Sequence, residues 1–512
     1  MNAFDDHAPL LPEILSLHGK WKARKPALIC GTEVMTWAEF EAETNKIAHG
    51  LIERGISRGQ MVGVVMSNGR AMVKALVGIM KAGACSVPIN LSVTDDAMTA
   101  MLEDAGITVL FATEDQAARL GAFLASHKEV QAFDSEAALA ALKQNQPDTL
   151  PSVTIGENDL LNVIYSSGTT GMPKGIVHTH KGRRDWAYDL AVALRYNGSA
   201  RTLFTIGLYS NISWVGMLCT LLAGGTMVVE KSFDAARALN LIEKEKITNF
   251  AMVPIQLQRL LEVPGCDDFD LTSVQAIMSC GSPLHADLKE RLFDRLGPSS
   301  VIELFGLTEG IITTLEPEEA EGRMASVGKP LIGTDIKIVD DDDIEVPVGQ
   351  SGEVVGVGRI VMPGYLNRPD ATADATWTDP NGRNWMRTGD IGMLDEEGYL
   401  YIVDRKKDMI LSGGQNIYPQ DIEAVLVTHP AVNEVAVIGV PSDKWGETPL
   451  AIIVCEANAS ESEADVTAWA NSKLGKQQRI AGAVFTESLP RNPNGKILKR
   501  ELRQTHKDWQ HG

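Results

Sequence analysis

The sequence predicts an α/β protein of more than one domain, and three observations carry that expectation. At 512 residues the chain exceeds what one hydrophobic core normally covers. Helix-like and strand-like stretches alternate along the first 150 residues and again from Asp268 to Phe305, which is the texture of layered α/β structure. From Gly328 to Tyr401 short β-rich pieces lie between Gly, Pro and Asp turns, and beyond Asp404 helix and strand mix on a smaller scale. The expected architecture is a large N-terminal domain, residues 1–404, of layered α/β subdomains plus a small β-barrel. A small α+β C-terminal domain, residues 405–512, follows; at roughly 100 residues it has a normal domain size.

The elements follow in order. Phe40 to Arg54 has apolar residues at helical spacing and stops before Gly55. Val62 to Met66 reads as a buried strand, and Ala71 to Ala82 as a helix closing at Gly83. Leu160 to Tyr165 and Ile176 to His180 are apolar and β-branched, so both read as strands. Val274 to Met278, His285 to Leu296 and Ser300 to Leu304 repeat the strand–helix–strand style. Ile336 to Val339 and Gly352 to Val355 are strands of the barrel-like part, with the acidic run Asp340 to Asp343 as a solvated turn rather than a metal site. In the last domain Pro419 to Val427 and Val466 to Leu474 are helices; Val435 to Val440 and Leu450 to Val454 are strands.

Composition is ordinary for a globular protein, with 44% hydrophobic and 22% charged residues. The formal net charge of −20 disfavours nucleic acid or an anionic membrane as main partner. Six cysteines form no C-x-x-C pair, so zinc and dithiol readings fail; Cys85 and Cys219 lie in apolar runs and read as buried. The start Met1-Asn2-Ala3-Phe4-Asp5-Asp6 is not a secretory signal, and no apolar run reaches the ~18 residues of a membrane span. A reducing cytoplasm fits. His178 and His180 share one face of an expected strand, but without further ligands they are discounted as a zinc site. Lys499-Arg500 reads as a solvated face.

The run Tyr165-Ser166-Ser167-Gly168-Thr169-Thr170-Gly171-Met172-Pro173-Lys174-Gly175 is the densest chemical signal. Glycines let backbone N–H groups close on an anion, hydroxyls add donors, and the lysine adds a mobile charge. It is a phosphate cradle. It is not the common P-loop, because Lys174 stands between Pro173 and Gly175 rather than opening a helix.

This cradle resembles the signature of the acyl-adenylate-forming (AMP-binding) superfamily, in its acyl/aryl-CoA synthetase branch, and further motifs follow in the family's order over nearly the whole chain. Ser166, Ser167, Gly168, Thr169, Thr170, Gly171 and Lys174 would then hold the phosphates of ATP. Glu303-Leu304-Phe305-Gly306-Leu307-Thr308-Glu309 is similar to the family's Tyr-Gly-x-Thr-Glu motif. The match implies that Phe305 stacks on adenine beside Gly306, Thr308 touches the α-phosphate, and Glu309 holds Mg²⁺, a hard cation that prefers carboxylate oxygen. Gly281, Ser282 and Pro283 match the adenine loop. Asp390, in Arg387-Thr388-Gly389-Asp390, matches the ribose motif, and its two acceptors suit vicinal hydroxyls. Arg405 would contact ribose or phosphate. Lys407 matches the hinge about which a mobile C-terminal domain turns between half-reactions. Gly413 and Gly414 would line the pantetheine tunnel, and Trp445 is a stacking candidate there, with a buried structural tryptophan as the alternative. Lys496, in Pro490 to Ile497, would neutralise the α-phosphate and the substrate carboxylate.

Two departures stand out. Gly207-Leu208-Tyr209-Ser210-Asn211 lies where many relatives carry Pro-Leu-Phe-His, so Ser210 replaces a histidine. Tyr209, Ser210, Asn211 and Trp214 border the implied acyl pocket, and their mixed polarity suits a ring-bearing or medium-length acid better than a long alkyl chain. The usual Lys-x-Pro-Lys pattern is missing near Gln477 to Gly482. The resemblance implies an ATP- and Mg²⁺-dependent carboxylic acid–CoA ligase that takes an acid, ATP and CoA as small-molecule partners, with room for a homodimer. The alternatives are an enzyme that loads a carrier protein, a non-catalytic acyl or nucleotide sensor, and a luciferase-like oxidase. Retention of Lys174, Glu309, Asp390, Arg405 and Lys496 argues against the sensor.

Overall fold

A computed structural model describes residues 8–166, 173–284, 286–297, 300–413, 415–442, 444–457, 459–476, 478–491 and 495–509. The chain divides into two compact units, residues 1–335 with 357–376, and residues 336–356 with 377–512.

The first unit contains two large sheets. One has six strands, in the order Gln131–Phe133, Val109–Ala112, Met61–Val65, Cys85–Pro88, β1 (Leu160–Tyr165) and β2 (Gly175–Thr179). All neighbours are parallel except the last pair, which is antiparallel across the cradle. Parallel strands are covered on both faces, which is why Met61–Val65 reads as an unbroken apolar run. Helix Trp37–Glu53 starts at a capping box of Thr36 and Glu39. Helix Arg70–Lys81 ends two residues before Gly83, whose φ of +74° only glycine takes without strain.

One expectation fails in this sheet. β2 stops at Thr179, and His180 is the first residue of helix α1 (His180–Ala193). The Thr179 hydroxyl accepts from the Gly182 N–H at 3.0 Å and caps the helix. The two histidines therefore do not share one strand face. Among the described residues no group of three or more His, Cys, Asp or Glu is placed to hold a metal ion.

The second sheet has nine strands, in the order Lys329–Pro330, Ile312–Leu315, Val301–Gly306, Ala276–Ser279, Asn249–Met252, Arg201–Phe204, Thr226–Val229, Pro26–Cys30 and Glu33–Thr36. Its middle is parallel and its rims antiparallel. Helix α2 (Asn211–Ala223) is apolar nearly all round, is buried, and packs on α1. Strand β3 (Val301–Gly306) ends in Phe305-Gly306. Cys85 and Cys219 are fully buried, as expected.

In the second unit β4 (Asn384–Leu394) and β5 (Leu400–Arg405) belong to a five-stranded sheet, the Gly-, Pro- and Asp-punctuated part of the sequence. They run antiparallel, with Asp390 opposite Arg405. The acidic run is a turn: Asp340 accepts from the N–H groups of Asp342 and Ile344, each at 2.9 Å, while Asp341 pairs with Lys406 and Asp343 with Arg387. A second five-stranded sheet follows, built on the long hairpin Val432–Ser442 and Gly446–Cys455 and covered by α3 (Pro419–Leu426) and helix Glu463–Lys473. Here the solvated reading of Lys499 is corrected. Its ammonium pairs with Glu423 on α3 at 2.7 Å and its side chain is 13% exposed, because the last helix lies against this sheet.

Candidate active site

The ends of the cradle are pinned together: the Ser166 N–H donates to the Lys174 carbonyl at 3.0 Å. Ser167, Gly168, Thr169, Thr170 and Gly171 lie outside the described residues. Lys174 places its ammonium 4.8 Å from the ring centre of Tyr365. The Tyr365 hydroxyl donates to Glu309 Oε1 at 2.9 Å. Burial, then the Glu309 charge, raises the Tyr365 hydroxyl above its ordinary pKa, so it stays protonated and donates.

Backbone contacts hold this group. The Leu366 N–H donates to Gly175 at 2.7 Å and the Val177 N–H to Gly364 at 3.2 Å, so residues 364–366 run along β2. The Met362 N–H donates to the Glu309 carbonyl at 2.8 Å. Gly310 has φ +105°, and a Cβ there would lie 2.2 Å from the Ile360 carbonyl oxygen. Only glycine lets the turn carrying Thr308 and Glu309 lie so close to the Ile360 carbonyl. Glu309 is thus a half-buried turn residue and not a helix-end surface acid. One oriented carboxylate beside a phosphate cradle fits Mg²⁺, which takes one or two carboxylates and fills its remaining positions with water and phosphate oxygen. Phe305 is half-buried at the end of β3, and Gly306 is exposed. Gly281 takes φ +88° in an exposed loop with Ser282 and Pro283; the loop's end is tied to β3 by the Leu284 N–H donating to Glu303 at 3.4 Å.

The implied acyl-pocket residues sit at the start of α2. Ser210 caps that helix and is buried; Tyr209 is half-buried; Trp214 is buried and donates to the Leu208 carbonyl at 2.8 Å. Asn211 accepts from the Nη2 of Arg183 at 2.9 Å. Arg183, on α1, is 1% exposed, and its Nε donates to Asn162 of β1 at 2.9 Å. Its guanidinium lies 4.5 Å from the Trp186 ring centre and 5.4 Å from that of Trp214. Burial pulls its pKa down to about 9, and among the described residues no carboxylate pairs with it. Two ring contacts supply about 1–4 kcal/mol in all, whereas burying an unpaired ion costs several kcal/mol. Reading the sequence did not find Arg183, since a basic residue on an amphipathic helix gives no sign that it faces inward. Tyr365 was missed for a similar reason: only the Pro-Gly before it marks the turn that brings it back.

The second unit gathers the other matches. Asp390 is buried; its Oδ1 lies 3.2 Å from Arg405 Nε, and its Oδ2 has no hydrogen-bond partner among the described residues. Burial raises the Asp390 pKa, opposed by the charges of Arg405, Lys496 and Lys407. An orphaned acceptor held among cations suits a neutral hydroxyl donor such as a ribose hydroxyl. Lys496 is half-buried; burial first, then Arg405, pushes its pKa down to about 7, against the pull of Asp390. Lys407 lies in the turn closed by the Asp408 N–H donating to Arg405 at 2.9 Å, and burial lowers its pKa. The Gly413 N–H donates to the Trp445 carbonyl at 2.7 Å, and a Cβ at Gly413 would meet the indole at 2.9 Å. Trp445 is 49% exposed with Lys444 over its ring at 4.6 Å, so the buried structural alternative is ruled out. Gly414 lies outside the described residues.

Glu309 with Tyr365, and Asp390 with Arg405, stand in the chain order that the resemblance to adenylate-forming enzymes implies. Residues 18–366 match the family model of AMP-binding enzymes, and residues 421–496 match the model of the AMP-binding enzyme C-terminal domain. The chain belongs to that family, in its acyl/aryl-CoA synthetase branch. It is 34% identical over 479 residues to the long-chain-fatty-acid–CoA ligase FadD13 of Mycobacterium tuberculosis, covering 92% of this chain and 93% of that one. It is 33% identical over 500 residues to a feruloyl-CoA synthase of an Amycolatopsis species, covering 95% and 98%. Its fold is similar to that of ATP-bound MatB from Rhodopseudomonas palustris, with a TM-score of 0.88, 26% identity, and 96% and 99% of the two chains covered.

Proposed function

We propose that the protein is an ATP-dependent carboxylic acid–CoA ligase, acting on a ring-bearing or medium-length acid. The contact of Lys174, Tyr365 and Glu309 at the cradle carries this reading, because it sets a cation and a hard-oxygen ligand side by side where a triphosphate would lie. In the first step a substrate carboxylate oxygen attacks the α-phosphorus of ATP, the α–β bridging P–O bond breaks, and pyrophosphate leaves with that electron pair. In the second the CoA thiolate attacks the acyl carbonyl, and AMP leaves.

The chain's own residues position and neutralise. Lys174 and the cradle residues Ser166, Ser167, Gly168, Thr169, Thr170 and Gly171 hold the leaving phosphates. Bound at Glu309, Mg²⁺ would spread the phosphate charge as it shifts to pyrophosphate. Phe305, Gly306, Gly281, Ser282 and Pro283 seat adenine, and Thr308 donates to the α-phosphate. Asp390 accepts from ribose hydroxyls, with Arg405 beside it. Lys496 lets two anions approach, the carboxylate and the α-phosphate, that otherwise repel. Gly413, Gly414 and Trp445 form the path for the CoA arm, with the flat indole exposed to stack. The C-terminal domain from residue 405 turns about Lys407 between the steps.

We place the enzyme in the cytoplasm, where ATP and CoA meet, and hold a homodimer as the assembly to be tested by light scattering. No helix among the described residues is long and apolar enough to cross a membrane.

The experiment is a panel of acids assayed for pyrophosphate release with and without CoA, with the acyl product identified. Acid-dependent pyrophosphate and acyl-CoA in equal amounts are expected. Pyrophosphate without acyl-CoA would turn the reading to a carrier protein as acceptor. No pyrophosphate with any acid would reject it.

A further inference from the structure

Arg183 differs from the other arginines of its helix neighbourhood. Arg184, one residue on, pairs with Glu157 at 2.9 Å and Asp185 at 3.0 Å. Arg359 pairs with Asp189. Arg183 is the more buried, yet it meets only two amide oxygens and two indole faces. In a chain with 67 acidic residues, a buried guanidinium without a carboxylate calls for an occupant.

The surroundings point the same way. Asn162 and His178 are register partners on β1 and β2, so their side chains share one face of the sheet. Asn162 is 0% exposed and His178 is 5% exposed. The Asn162 amide is oriented by Arg183, which donates to its oxygen; its Nδ2 is left with no hydrogen-bond partner among the described residues. His178 Nε2 also lacks one. Burial, then the Arg183 charge, keeps this imidazole neutral, so Nε2 is able to carry the proton. One amide and one imidazole thus offer unused donors beside a buried guanidinium that no described carboxylate pairs with. Donors without acceptors are the chemistry of an anion site.

This place adjoins the implied acyl pocket through Asn211 and Trp214, both in contact with Arg183. Resting on the ligase reading above, we infer that Arg183, with Asn162 and His178, binds a second carboxylate carried at the far end of the substrate acid. The enzyme's substrates are then dicarboxylic acids, of medium length or ring-bearing. One carboxylate is activated and the other is held by Arg183. Asn211 sets the guanidinium's angle. A pocket built to pair such a group rejects the analogue that lacks it far more strongly than an apolar pocket rejects one methylene, because the donors are otherwise left buried and unpaired.

The test uses matched pairs of acids, each a dicarboxylate and the monocarboxylate with a methyl group at its far end, over a series of chain lengths and ring spacers. Pyrophosphate release gives kcat/KM for each. The wild-type enzyme should favour the dicarboxylate of at least one pair by about 10⁴-fold. Arg183→Met should bring that ratio to within a few-fold of one, and Asn211→Val should lower it part of the way. Equal rates within every pair, or a preference for the methyl-ended acid, would overturn the inference with no variant needed. An unchanged ratio in a folded Arg183→Met enzyme would overturn it as well. If that variant does not fold, Arg183→Lys keeps a charge and loses the fork, and its ratio must still fall. Absence of pyrophosphate with every acid would instead count against the ligase reading.

Discussion

Glu309 is oriented by a residue 56 positions away, since Tyr365 donates to its Oε1. Replacing Glu309 by Gln exchanges an anionic oxygen for a neutral amide, a poorer ligand for a hard ion. Titrating Mg²⁺ against the rate of pyrophosphate formation should show half-activation moved up by about tenfold or more, roughly 1.4 kcal/mol at 25 °C; superimposable curves would return Glu309 to an unspecific surface role. Lys496 gives a prediction in protons. Its folded pKa of about 7 lies below the ordinary lysine value of 10.5, so between those pH values the unfolded chain holds a proton that the native protein lacks. Stability linked to this group therefore rises with pH through that window. ATP and the acid bring negative charge and should raise the pKa again. Calorimetry of ATP binding at pH 8 in buffers of different ionisation heat should register uptake of a fraction of a proton, and Lys496→Met should abolish it. Uptake unchanged in the variant would place the titrating group elsewhere. The sequence singles out the cradle, Glu309 and Asp390 because glycine, hydroxyl and charge crowd into short runs there. It does not single out Arg183 and Tyr365, because what makes them matter is a contact across the fold with Asn211 or Glu309.

Among the elements, β5 holds a buried acid, Asp404. Asp404, next to last in β5, is almost wholly buried, accepting from the Arg405 N–H at 2.6 Å and from the Gln420 N–H at the start of α3 at 3.1 Å. Burial still raises its pKa to about 6. The sign follows from its ordinary value of 3.8. Between these pH values the folded protein holds more protons than the unfolded chain, so this contribution is present at low pH and is lost as pH rises through 6. Asp404→Asn should flatten the stability profile between pH 4 and 6 and raise the midpoint of urea unfolding at pH 7.5 relative to wild type. A lower midpoint with an unchanged profile would mean that its two N–H bonds outweigh its burial. Element identity was readable from periodicity almost throughout; ends were less so. The strand reading ran on through His180 because Ile, Val and Thr fit a strand, while the cap made by the Thr179 hydroxyl depends on a helix that must already be there. Lys499 read as solvated because nothing in its own segment announces Glu423 on another helix.

Lys407 is the proposed hinge between the two half-reactions. The residue lies in the Arg405–Asp408 turn. Proline there fixes φ near −65° and restricts the residue before it. Single-turnover measurements on Lys407→Pro should retain much of the pyrophosphate-forming step and lose most thioester formation, about tenfold or more. Equal loss in both steps, or none in either, would make Lys407 an ordinary turn lysine. The two-domain plan was legible in the change of texture along the chain, since β-rich pieces between turn residues differ visibly from apolar runs between helices. The distribution of residues 336–356 and 377–404 was not, because assignment of strands to a compact unit is set by contacts that no local pattern encodes.

In the proposed first step the acid's own carboxylate oxygen attacks the α-phosphorus. Running the complete reaction with an acid labelled with ¹⁸O in its carboxyl group tests this directly. One labelled oxygen should appear in the phosphate of AMP, and the acyl-CoA should keep the other. Unlabelled AMP, or label recovered in pyrophosphate or inorganic phosphate, would contradict an acyl-adenylate route.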